Sequence, residues 1–243
     1  MLEQALARSA ESADQRARTL VGLARVARER GELPLAGERL AAAREPAAAG
    51  IAPAERVRLD LESAWLALAQ AREAEAARDF ELAGADALRV LGADDPAVGW
   101  AAAGRGEALR RVGDRAAAEA ALTDALARFR GEASASAVKP SEPLGLVAAL
   151  VSLGALRRAE GELDEARSAL RDAVAIGARE VGSEHPRLAD ALAELALVEL
   201  ARGDREAAQR AAARADAIAR SRLPEGHATR LAAADALARC GAP

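Results

Sequence analysis

Apolar residues return every three or four positions along nearly the whole chain, and the rule is clearest between Pro143 and Ile218. Leu150, Leu153, Gly154, Gly161, Leu163, Ala166, Leu170 and Ala173 form one set. Moving forward 42 residues gives Leu192, Leu195, Ala196, Gly203, Arg205, Ala208, Ala212 and Ala215, and seven of the eight pairs keep an apolar or small residue. A helix buries one stripe when apolar residues recur at that interval, and a lone glycine between two stripes is where the chain reverses. Each unit therefore reads as a helical hairpin. Small residues at Gly154, Ala166, Ala196 and Ala208 let paired backbones approach closely. One such hairpin cannot cover its own apolar face in water, so the units are expected to stack.

The same pattern predicts an all-α chain of about five antiparallel helix pairs, at 13–45, 54–91, 96–130, 143–180 and 186–222, with a capping helix at 225–239. Ahead of the first pair, Leu2 to Ser9 reads as a separate short helix, and Ser12 reads as the cap of the pair's first helix, ended by Gly31. Glu45-Pro46 is expected to interrupt the second helix of that pair. The second pair opens at Pro53, runs without glycine to about Ala77 and is expected to turn at Arg78-Asp79-Phe80. The third opens behind Asp95-Pro96, where a carboxylate accepts free N–H groups, and turns at Gly113. Gly131 to Glu142, rich in Gly, Ala, Ser and Pro, is the expected linker (131–142) and protease-sensitive segment. Gly182 to Pro186 repeats the logic of Gly92 to Pro96, and Glu225-Gly226-His227-Ala228 opens the cap, with Arg230, Asp235 and Arg239 for its polar face.

Composition narrows the chemistry. Hydrophobic residues make up 51% but aromatics only 2%, with no tyrosine, so the core must be built from Leu, Val and above all Ala, the strongest helix former. A net charge of −4 argues against nucleic acid as a partner. The longest uncharged run, Pro143 to Leu156, is too short to span a bilayer, and Glu3 and Arg8 break up the start of the chain, so neither membrane nor signal peptide is expected and the cytoplasm is the default location. Lys139, the only lysine, precedes a proline and rules out a P-loop; Gly104-Arg105-Gly106 lies within a helical pattern and is no dinucleotide site. One cysteine, Cys240, leaves no internal disulfide or multi-cysteine metal site and reads as a tail residue. His185, His227 and the Asp94-Asp95 pair stand at helix starts, where capping is their ordinary work. No enzyme activity, cofactor or metal is expected.

These residues resemble the tetratricopeptide repeat family. Its pattern of a bulky residue, Leu-Gly, a glycine turn and later small and bulky residues is matched by Leu150, Leu153-Gly154, Gly161, Ala166, Leu170 and Ala173, while Arg157 and Glu199 stand where the family has an aromatic. The 42-residue step, with Gly182 to Pro186, is similar to the long repeats of kinesin light chains and of many bacterial signalling proteins, and the arginine-rich composition also suggests a bacterium. The resemblance implies a right-handed α-solenoid, one domain over 1–243, working as a non-catalytic protein-protein interaction module. A concave groove lined by the first helix of each pair would hold a peptide or helix of another protein. Offsets from each turn nominate Arg25, Arg28, Arg72, Glu107, Arg110, Val151, Arg158, Leu197 and Leu200 as the groove. Its arginines would grip carboxylates of an acidic partner, or else simply solvate an exposed face beside nearby Glu and Asp. Trp65 and Trp100, 35 residues apart, read as one repeat step in matching settings: either exposed anchors or bulky core residues, with Ala69 and Gly104 as small partners. The core is favoured because an exposed indole in so aromatic-poor a chain needs special explanation. Two other functions fit the same pattern: a regulatory or sensor domain of a larger kinase- or transcription-regulator-linked bacterial signalling protein, and a self-associating structural repeat protein.

Overall fold

The computed structural model describes residues 2–48, 50–131 and 142–241, with only the backbone path described at 2–12 and 46–48. Among them are eleven α-helices and no strand. They are α1 (Leu2–Glu29), α2 (Leu33–Ala48), α3 (Pro53–Ala69), α4 (Glu73–Leu91), α5 (Pro96–Val112), α6 (Arg115–Phe129), α7 (Pro143–Glu160), α8 (Leu163–Glu180), α9 (Pro186–Ala201), α10 (Arg205–Arg222) and α11 (Ala228–Gly241). The chain forms two compact units, Met1–Val112 with α1 to α5 and Gly113–Pro243 with α6 to α11. In the first, α1 packs on α2 and α3 on α4, while α2 also meets α3 and α4 meets α5. In the second, α7 packs on α8 and α9 on α10, while α6 meets α7, α8 meets α9, and α11 closes against α9 and α10.

One turn geometry recurs. Gly31, Gly113, Gly161 and Gly203 adopt left-handed backbone, with φ of 78°, 94°, 84° and 86°. At Gly161 the next residue, Glu162, donates its N–H to Arg157 O at 2.9 Å while Gly161 donates to Arg158 O at 3.2 Å, the paired closure that satisfies orphan carbonyls at a helix end. Ala71 occupies the equivalent place between α3 and α4 with φ of 56°, and Arg72 N to Ala67 O and Ala71 N to Leu68 O repeat the same bonds at 3.0 and 3.2 Å. The turn expected at Arg78-Asp79-Phe80 is therefore at 70–72: the chain reverses there on alanine, at a cost of about 1–2 kcal/mol for a left-handed L-residue.

Counting from the turn residue exposes the core. Five residues on stand Ala36, Ala76, Ala118, Ala166 and Ala208; nine on, Leu40, Phe80, Leu122, Leu170 and Ala212; twelve on, Ala43, Ala83, Ala125, Ala173 and Ala215, and all fifteen are buried. Alanine at two of the three positions keeps the helices close, and the third supplies a knob. Glycines take the largest knobs: a Cβ on Gly104 would lie 2.4 Å from the Phe80 ring, and one on Gly145 the same distance from Phe129.

Three further expectations are corrected. No break separates Leu2 to Ser9 from the residues after it, since α1 is continuous to Glu29 and Ser12 lies inside it rather than at a helix start. Pro46 does not end α2, which runs on to Ala48; so near the C-terminus a proline removes only its own N–H from the ladder. Cys240 is no tail residue, because α11 carries it onto the face of Ala233 and Ala236 and leaves it 1% exposed. Burial pushes its thiol above the ordinary range, with Arg239 opposing. Residues 132–141 of the expected linker lie outside the described residues.

The helix starts are capped as their residue types suggest. Asp95 accepts from Ala97 N at 2.8 Å and Asp204 from Ala207 N at 2.9 Å. Both histidines cap through Nδ1, His185 from Arg187 N at 3.2 Å and His227 from Thr229 N at 3.1 Å. Among the described residues no helix is long and apolar enough to cross a membrane.

Candidate partner-binding face

First helices are neighbours: α1 touches α3 and α3 touches α5 in the first unit, and α7 touches α9 in the second. Residues three and six places before each turn residue fall on this side of the helix. They are Arg25 and Arg28 on α1, Trp65 and Leu68 on α3, Glu107 and Arg110 on α5, Ala155 and Arg158 on α7, and Leu197 and Leu200 on α9. Arg72, nominated from the misplaced turn, sits in the turn itself, where it reaches Glu75 and Gln70. Val151 packs against the cluster of Ala166, Leu170, Leu195 and Val198, and Leu197 and Leu200 pack against the cluster of α9, α10 and α11.

The arginines hold partners within the fold. Arg28 Nε donates to Glu62 Oε1 at 2.6 Å, and Arg25 approaches the other oxygen at 3.6 Å. Arg158 meets Glu194 at 3.0 Å. These two pairs share one register, an arginine three before one turn residue and a glutamate nine before the next, so they tie adjacent first helices together. Glu62 and Glu194 were not singled out from the sequence, and the signal that finds them is this count from turn to turn. On α5, Arg110 grips Glu107 with two bonds of 2.8 Å and Arg111 adds a third at 2.6 Å. Burial would raise the Glu107 carboxyl, but the hydrogen bonds and charge of Arg110 and Arg111 outweigh it and hold the group below the ordinary glutamate range.

The two tryptophans are not in matching settings, since Trp65 stands six residues before its turn residue and Trp100 thirteen before Gly113. They meet nonetheless. Their ring centroids are 6.2 Å apart at 77°, Trp65 stands edge-on to Phe80 at 4.8 Å, and the Arg28 guanidinium lies 5.7 Å from the Trp65 ring centroid, within cation–π range. Both indoles are half-buried, neither free anchors nor sealed core. Gly104 partners Phe80 rather than an indole.

Solved structures with the same fold cover most of the chain. BtubC (BKLC) from P. vanneervenii superposes with a TM-score of 0.60 at 20% identity, covering 93% of each chain. A candidate kinesin light chain of Podosopora anserina with nearly identical TPR-like repeats superposes at 0.56 with 25% identity, over 87% of this chain and 99% of that one. The all-α fold is thus of the solenoid class. The family model for the tetratricopeptide repeat matches residues 145–221, the stretch from α7 to α10. No curated protein matches the chain in sequence. Tetratricopeptide repeats are generally non-catalytic scaffolds through which proteins contact one another, and two departures in this chain show how the fold accommodates change. Arg157, at an aromatic position of the repeat, is held by Glu119, Glu160 and Glu162; Glu199, at the same position of the next repeat, is held by Arg167 at 2.8 Å and Arg171 at 3.4 Å. In each case the neighbour six residues past the preceding turn supplies the opposite charge, so a packed ring is replaced by an ion pair of either polarity. Among the described residues no group of three or more His, Cys, Asp or Glu side chains is arranged to hold a metal ion.

Proposed function

We propose that the chain is a non-catalytic protein-interaction module of the cytoplasm whose α1, α3 and α5 face holds a peptide or helix of an acidic partner. The observation that carries this is Trp65. It is half-buried and held by Phe80, Trp100 and Arg28, beside Arg25 and Arg111, whose side chains stay 64% and 42% exposed. A rigid aromatic with an arginine rim is the composition of an interface hot spot. The internal ion pairs do not consume this surface: Glu62 holds Arg28 more closely than Arg25, and Glu107 binds Arg110 through both oxygens. Arg25 and Arg111 are the more exposed arginines of their pairs, and each leaves its carboxylate a second arginine on turning outward, Arg111 by giving up its bonds to Glu107 at 2.6 Å and to Leu68 O at 3.5 Å.

The test is affinity capture from the native cell extract with wild type and with the double variant Arg25→Ala, Arg111→Ala, which leaves Glu62 its bond to Arg28 and Glu107 its two bonds to Arg110. Loss of two charge-assisted contacts is expected to weaken the captured partner at least tenfold, while helix content and melting are unchanged. Equal retention by both proteins would show that these arginines are a solvated face.

A further inference from the structure

We infer that the uncovered side of α1 is a docking site for one more amphipathic helix of the second-helix type, supplied by another polypeptide. In α3, α5, α7 and α9 this side is covered by the second helix of the pair before. Five residues before the turn residue stand Leu66, Ala108, Leu156 and Val198, and twelve before it Leu59, Ala101, Ala149 and Ala191, and all eight are buried. The contacts that bury them repeat: Gly37 of α2 lies against Leu66, Gly84 of α4 against Ala101, and Leu195 and Val198 of α9 join Ala166 and Leu170 of α8 in one cluster.

On α1 the same positions, Val26 and Thr19, open to solvent. Val26 is 45% exposed, and Leu23, a turn before it at a register of its own, 46%. Gly22 stands nine residues before its turn residue, the register at which Gly104 admits the Phe80 ring; a Cβ on Gly22 would meet nothing within 4 Å. The seat exists and no knob fills it. Residues 2–12 do not fold back over it, because α1 runs unbroken from Leu2. At the lower end Arg30 holds the place of Arg202, which pairs with Asp164 in the first turn of α8.

The repeat itself defines what fits. Each covering helix carries alanine, a leucine or phenylalanine four residues later, and alanine three beyond that, as in Ala36-Leu40-Ala43, Ala76-Phe80-Ala83 and Ala166-Leu170-Ala173. The occupant is thus a helix with that spacing and an acidic residue in its first turn, laid on α1 as α4 lies on α5. An exposed pair of large aliphatics beside a vacant glycine seat continues an interface that the chain already makes with itself.

The probe is a labelled synthetic peptide with the sequence of residues 73–91, titrated by fluorescence anisotropy into the full chain. Saturable one-to-one binding is expected, weakened at least tenfold by Leu23→Glu with Val26→Glu, by Gly22→Leu, and by Phe80→Ala within the peptide. The protein variants change only exposed positions, so unchanged circular dichroism is expected alongside, with Gly22→Leu melting no lower than wild type because leucine is the better helix former. Absence of saturable binding would overturn the proposal. So would binding indifferent to Gly22→Leu, which would mean that the peptide exchanges with α4 at Gly104. Concentration-dependent light scattering abolished by Val26→Glu would make a second copy the occupant and overturn the assignment to another polypeptide.

Discussion

Gly22 and Gly104 stand at one register on α1 and α5, and replacing each by alanine is predicted to change stability in opposite directions. Alanine in a helix interior is favoured over glycine by about 1 kcal/mol. At Gly22 nothing opposes that gain, since the added Cβ meets no atom within 4 Å, so Gly22→Ala is expected to stabilise by about 0.5–1 kcal/mol. At Gly104 the Cβ would lie 2.4 Å from Phe80 Cε1 and Cζ and 2.8 Å from Cδ1. Phe80 is 1% exposed, and Trp65 stands against its ring at 4.8 Å, so the ring cannot withdraw without moving an indole. Overpacking of this kind costs about 1–3 kcal/mol, and a ring that cannot withdraw puts Gly104 toward the upper end, so the propensity gain is outweighed and the net loss is up to about 2 kcal/mol. Urea unfolding followed by tryptophan emission measures both, because Trp65 and Trp100 are the only tryptophans and both lie in the first unit. Phe80→Leu in the Gly104→Ala background should recover part of the loss as a coupling between the two sites. Two alanine variants of the same sign, or no coupling with Phe80, would refute the seat.

Other consequences rest on single groups. Ala71→Gly relieves a left-handed alanine and is expected to stabilise the first unit by about 0.5–1 kcal/mol in the same unfolding assay, the gain trimmed by glycine's freedom in the unfolded chain. Arg28→Met leaves Glu62, 4% exposed, with only the more distant Arg25, and is expected to cost about 2 kcal/mol, part of which Glu62→Gln should restore. Glu107 is held below its ordinary value, so the stability that it contributes is present above the unfolded pKa and is lost as pH falls through the folded one; Glu107→Gln should flatten the acid limb of a urea-midpoint-against-pH curve. Asp60, raised by burial, works in the opposite sense on that limb, which is why the variant and not the wild-type curve isolates Glu107. Burial raises the Cys240 thiol above its ordinary value, so its contribution is full below the unfolded pKa and falls as pH climbs through the folded one; Cys240→Ala is expected to flatten the alkaline limb followed by far-ultraviolet circular dichroism.

The helical repeat was legible because alanine, leucine and turn glycine recur with few exceptions, and where the signal was strongest, at Gly161 and Gly203, the expected turns coincide with the observed ones. Where glycine is replaced by Ala71, the marker vanished and the expected turn slid to Arg78, which carried Arg72 into the expected groove and gave the tryptophans a false equivalence. Backbone closure by Arg72 N and Ala71 N held the reversal in place without the residue that announces it. Pro46 misled in the opposite way, as a helix breaker placed where little ladder remained to break. The arginines of the face were found, but their partners Glu62 and Glu194 were not, because each pair spans two repeats and only a correct count from turn to turn brings them opposite one another. Cys240 looked like a tail for want of a visible end to α11.

The central claim is that a partner occupies the α1, α3 and α5 face. With both tryptophans on that face and no tyrosine in the chain, acrylamide quenching of intrinsic emission reads its accessibility directly, provided that the captured partner is labelled or free of tryptophan. A saturating partner is expected to lower the quenching constant at least twofold in wild type and to leave it unchanged at the same concentration with Arg25→Ala, Arg111→Ala. A partner that saturates the wild type while the tryptophans stay as accessible as before would place binding elsewhere and contradict the account.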